Sequence, residues 1–179
     1  MKLSDVTAAA LVGLLGNVSL NKAVLAINLA SAATVKTTNA LTYTVNGVLY
    51  TKAALAAQAI TVTHDAYGNV FPGYLIPVNK TVYLTLALNA AGTLSVVQGT
   101  FAGQVAQGDP SIGVGPAYNN GISFVGSGAV PDVPAGYTAI GVIKLVNGVA
   151  PFTIGTTALD AGTVVTSYFD VAILPAGLL

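Results

Sequence analysis

Between Leu41 and Thr51 the chain reads Leu-Thr-Tyr-Thr-Val-Asn-Gly-Val-Leu-Tyr-Thr. Apolar side chains and threonines alternate on both sides of Asn46-Gly47. Period-two alternation puts Leu41, Tyr43 and Val45 on one face of a strand and Thr42 and Thr44 on the other. Asn-Gly tolerates the two left-handed backbone conformations of a tight turn, so the segment predicts a β-hairpin. A helix cannot use this pattern, and the rest of the chain has to supply partners for the hairpin's apolar face.

Further strands are predicted on the same grounds. Ile60 to Thr63 is a short one. Val82 to Leu88 turns at Asn89-Ala90-Ala91-Gly92 and pairs back through Thr93 to Val97. Tyr137 to Val146 is a long strand with Gly141 as a bulge site. A second Asn-Gly, Asn147-Gly148, predicts a hairpin returning through Val149 to Ile154. Thr163 to Leu174 is the last strand, ended by Pro175. At least eight strands at this spacing predict a mainly β fold, an antiparallel β-sandwich or a jelly-roll-like barrel. Residues 103 to 136 are rich in Gly and Pro and read as a long connection.

The first 35 residues differ in texture: they are rich in Ala and Leu and contain no aromatic residue. Ser4-Asp5 can cap a short helix ending at Gly16-Asn17, with Leu11, Leu14 and Leu15 sharing a face. Val24, Ile27 and Leu29 fit either a second helix or an extended segment. We therefore divide the chain into an N-terminal arm, 1–35, and a β domain, 36–179. Leu11, Leu14 and Leu15, followed by Val24 and Ile27, are the candidate contacts to other subunits or to a larger shell.

Charge narrows the function classes. The chain has 179 residues and carries six Lys, six Asp, no Arg and no Glu, with zero net charge. Its lysines are dispersed, so no basic patch for nucleic acid is expected. No apolar stretch approaches the ~20 residues of a spanning helix, so no membrane partner is expected, and no convincing signal peptide precedes the apolar region. Cys is absent, which excludes thiol nucleophiles, disulfides and thiolate metal sites. A charge-poor, neutral chain tends to associate, which predicts a surface covered by other copies or other proteins.

The remaining polar groups offer little chemistry. His64 is the lone histidine, and its neighbour Asp65 points to the opposite face of a strand. We read His64 as a strand-end or turn residue. Asp109, Asp132 and Asp160 stand in turn contexts, beside Pro or ahead of Gly. Asp65-Ala-Tyr-Gly-Asn69 offers too few oxygens for a calcium loop. Tyr67, Phe71, Tyr74, Tyr118 and Phe124 fall in or near loops, where aromatic rings stack on sugars or proteins or plug loops onto a domain. No catalytic, cofactor-binding or metal-ligating residue is assigned, and no cofactor is expected.

Three runs carry a family likeness. They are Lys36-Thr-Thr-Asn-Ala-Leu-Thr-Tyr-Thr-Val-Asn-Gly-Val-Leu-Tyr-Thr-Lys-Ala-Ala54, Tyr83-Leu-Thr-Leu-Ala-Leu-Asn-Ala-Ala-Gly-Thr-Leu-Ser-Val-Val97 and Pro131-Asp-Val-Pro-Ala-Gly-Tyr-Thr-Ala-Ile-Gly-Val-Ile143. Together they resemble virion-surface β domains of tailed bacteriophages, of the capsid decoration (cement) or head-fibre type. The resemblance covers about half of the β region and no part of the arm. It implies a non-enzymatic structural protein, commonly a homotrimer, made in the host cytoplasm. In the virion it would bind the major capsid protein or another virion protein at the capsid surface. The alternative is a tail-fibre or head-fibre module that binds host glycans through its loop tyrosines.

Overall fold

The computed structural model describes residues 16–65, 75–76, 78–99, 130–150 and 152–172. Among these the chain forms strands and no helix. In order they are β1 (Val18–Ser19), β2 (Leu25–Ile27), β3 (Thr34–Thr37), β4 (Leu41–Val45), β5 (Val48–Lys52), β6 (Gln58–Ala59) and β7 (Val62–Asp65). They continue with β8 (Leu75–Ile76), β9 (Thr81–Asn89), β10 (Leu94–Gln98), β11 (Tyr137–Val146), β12 (Phe152–Thr153) and β13 (Val165–Asp170). The fold is mainly β, as the alternation predicts.

The largest sheet has five strands in the order β13-β11-β9-β10-β7. Two three-stranded sheets, β1-β4-β5 and β2-β3-β6, pack on it, and β8 and β12 form a separate pair. Alternation decides which side chains meet. Val82, Leu84, Leu86 and Leu88 of β9 face the shared core with Ile143 and Leu145 of β11 and Val96 of β10. From the smaller sheets come Leu41, Tyr43 and Val45 of β4, Leu25 of β2 and Val35 of β3. Each such aliphatic side chain taken fully out of water contributes roughly 1.5–3 kcal/mol. Polar bonds lock the layers in register: the Tyr43 hydroxyl donates to the Asn89 carbonyl at 3.0 Å, and the Thr138 hydroxyl donates to the Thr44 carbonyl.

The first hairpin forms as the sequence predicts. Asn46 and Gly47 both have positive φ, 51° and 73°, and β4 pairs with β5 in the register Val45↔Val48. The Asn89 turn also forms, with Gly92 donating its amide to the Asn89 carbonyl at 2.9 Å. Gly141 lies at a bulge, where β11 shifts register against β9 between Ala139 and Gly141. A methyl group there would sit 2.9 Å from Leu25 Cδ2 and 3.0 Å from the Phe169 carbonyl oxygen, so any larger residue has to push these neighbours aside.

The second Asn-Gly departs from expectation. β11 does not turn back at Asn147-Gly148; its antiparallel partners are β9 and β13. Asn147 is buried and donates its side-chain amide to the Ile76 carbonyl at 2.8 Å, tying the end of β11 to β8. Gly148 passes so close to Thr163 that a Cβ would overlap it. The dipeptide serves close packing here, not a left-handed turn. The sheet is also mixed, because β7 runs parallel to β10.

The boundary placed at residue 35 falls inside β3. Residues 18–19 pair with β4, and Leu25 to Ile27 pair with β3. Ala23, Leu25 and Val35 lie in the common core. The described half of the arm is thus integral to the β domain, because its small apolar side chains fill the space between sheets.

Candidate functional site

Candidate contacts from the arm separate into three groups. Leu11, Leu14 and Leu15 lie outside the described residues. Ile27 is partly buried against the core of its own chain. Val24 is 43% exposed and holds φ at 53°. A β-branched residue in that left-handed region is strained, and such strain persists only where the surroundings enforce it. Here the flanking backbone is held on both sides. The carbonyls of Ala23 and Val24 accept the amides of Asn39 and Thr38, and the Leu25 amide donates to Asp170 Oδ1 at 3.0 Å.

His64 is better connected than its sequence context indicates. It lies on β7 opposite Val97 of β10, on the face of the large sheet away from the core. Its Nδ1 is 2.9 Å from Thr63 Oγ1 and 3.3 Å from Ser95 Oγ, and the two hydroxyls bond each other. Thr63 reaches Ser95 because β7 carries an extra residue against β10 between Val96 and Val97, which brings both neighbours to one side. Tyr137 meets the imidazole edge-on at 5.9 Å. Ser95 and Ala87, paired across the strands between them, are small enough to leave room for the two rings.

This cluster binds a hydroxyl pair to an imidazole, which is also what a nucleophile and its base require. Ser95, however, is only 2% exposed, so its oxygen does not meet solvent. Among the described residues no group of three or more His, Cys, Asp or Glu lies close enough to hold a metal ion. No helix among them is long and apolar enough to cross a membrane. The loop aromatics Tyr67, Phe71, Tyr74, Tyr118 and Phe124 lie outside the described residues. Sequence reasoning missed the His64–Ser95 contact. The two residues are 31 positions apart, and no local signal reports a parallel pairing between short strands.

Among the described residues ten large apolar side chains are exposed; Val24, Leu29, Val78, Val130, Val149 and Val171 lie outside the strands, and the other four stand on sheet edges. Val48 and Leu49 project from β5, the edge of the β1-β4-β5 sheet. Val165 and Phe169, 60% and 50% exposed, project from β13, the edge of the large sheet, and Val171 follows them. Sequence reasoning named β13 as a strand but did not assign it as a contact surface. Its alternation of Val165, Ser167 and Phe169 was the available signal. Compared with known proteins, the chain matches no family model, no curated protein and no solved structure.

Proposed function

We propose that this chain is a non-enzymatic structural protein of a tailed-bacteriophage virion, decorating and stabilising the capsid surface as a homo-oligomer. The observation that carries the reading is the chemistry of the exposed strand edges. Val48, Leu49, Val165 and Phe169 stand in solvent on a chain with twelve charged side chains in 179 residues. Soluble monomers protect such edges with charge, and assemblies cover them. The buried Ser95 hydroxyl beside His64 supports a packing role for that cluster over a catalytic one. Trimeric assembly and binding to the major capsid protein follow from the phage likeness of residues 36–54, 83–97 and 131–143.

A shell that offers its binding sites only when assembled is stabilised by each copy that binds it, through mass action. The test is immunogold labelling of particles with an antibody to this chain, joined to heat treatment of particles with and without it. Regular labelling over the head and earlier rupture of particles lacking the protein are expected. Label confined to the tail, or absent from particles, contradicts the proposal.

A further inference from the structure

The two edges of the large sheet are built differently. β7 is short, bulged at Thr63, parallel to its neighbour, and ends in His64-Asp65. Bulges, brevity and charge are the devices that stop an edge from pairing further. β13 is longer, has no bulge and carries one charged residue, at its end. It keeps six consecutive register pairs with β11, from Gly141↔Asp170 to Val146↔Val165, without a shift. Its single charged residue, Asp170, is exposed and accepts the Leu25 amide. Among the described residues no strand pairs with its far side.

We infer that β13 is the contact strand between two copies of this chain, paired antiparallel about a two-fold axis at Ser167. The strand is self-complementary in that register. Opposed residues in an antiparallel pair share a face, so Val165 of each copy meets Phe169 of the other on the outer face. Ser167, small, meets itself at the axis. On the inner face Thr166 meets Tyr168 of the second copy, two hydroxyl side chains that already hydrogen-bond within one chain at 3.3 Å. Asp170 falls opposite Val164, so no like charges are opposed, and zero net charge adds no long-range repulsion between copies. Aromatic and β-branched cross-strand pairs contribute roughly 0.2–1 kcal/mol each. One strand pair buries less than the ~1,200 Å² of a standard interface, so this contact works within a multi-contact assembly. A two-fold contact cannot lie within a three-fold ring, so in a trimeric assembly it joins one trimer to the next; it does not depend on the virion reading.

The absence of Cys makes the test clean. The variants Ser167→Cys and, as an exposed control, Val149→Cys are purified reduced, then treated with a mild oxidant or a short bis-maleimide linker. Ser167→Cys is expected to yield a covalent dimer on the order of tenfold faster than the control, because pairing raises the local thiol concentration. Adding Phe169→Lys to Ser167→Cys should return the rate to the control level, with circular dichroism showing the fold intact. Equal, slow cross-linking of Ser167→Cys and Val149→Cys overturns the inference. So does a fast rate that Phe169→Lys leaves unchanged in a folded protein.

Discussion

β7 and β13 bound the same five-stranded sheet, yet they meet solvent in opposite ways. β7 spends its polar groups locally: Thr63 and His64 bond to each other and to the buried Ser95 of β10, and Tyr137 meets the imidazole edge-on. β13 leaves Val165 and Phe169 in solvent, with its carboxylate tied back to the Leu25 amide. An edge that satisfies its own polar groups is finished as a monomer surface. An edge that exposes apolar side chains beside free backbone groups is finished only by a partner. This contrast between the two edges is what supports assigning the contact between copies to β13.

The largest effect expected lies beneath both edges, in the core they share. Ile143→Ala removes a wholly buried side chain next to Leu84 and should cost about 2–5 kcal/mol in denaturant unfolding. Phe169→Lys, from the strand beside it, should change unfolding by less than about 0.5 kcal/mol while weakening association. If both variants lose comparable stability, β13 is core and not contact surface.

Near β7 the polar cost is visible at Gln98. It pairs with Leu84 on the core face, is wholly buried, and neither side-chain polar atom has a hydrogen-bond partner among the described residues. Gln98→Met should therefore raise stability by about 1–3 kcal/mol. A loss on substitution would show that the amide is satisfied in solution. At the β13 side, Val24→Asn relieves the left-handed strain and should add about 1 kcal/mol. If Val24 is also a contact, the same variant binds its partner less well. His64→Ala should cost about 1 kcal/mol, the worth of its hydroxyl bonds, and leave assembly unchanged. Lost assembly in a folded His64→Ala protein would give β7 a role in association.

The smallest effect is alkaline. Burial, reinforced by the neighbouring Tyr50, raises the Tyr43 pKa above its ordinary 10.0. A raised folded-state pKa gives stability that is complete below the unfolded value and lost as pH rises through the folded one. Melting temperature should thus fall above about pH 10, and Tyr43→Phe should flatten that fall. An unchanged alkaline slope in Tyr43→Phe assigns the loss to other groups, Tyr168 first, whose pKa burial also raises.

Local features were legible in the sequence and long-range ones were not. The 41–51 hairpin, the Asn89 turn and the Gly141 bulge each declare themselves within a dozen residues, because turn geometry and alternation are local. Asn147-Gly148 carries the same letters as Asn46-Gly47, yet its Asn side chain reaches Ile76, a partner that sequence spacing does not reveal. Val24 to Ile27 was ambiguous because β2 is only three residues long, too short for either period to show. The His64–Ser95 contact needed the β7–β10 parallel register, which chain order does not specify. Edge status was hidden for the same reason: Val165 and Phe169 alternate like any strand, and only sheet order makes them an edge.

Amide hydrogen exchange, compared between the dispersed chain and the assembled form, tests the two-edge account most directly. Assembly should slow exchange in β13, residues 165–170, and leave β7, residues 62–65, at its dispersed rate. Protection that appears at β7 with none at β13 contradicts the account.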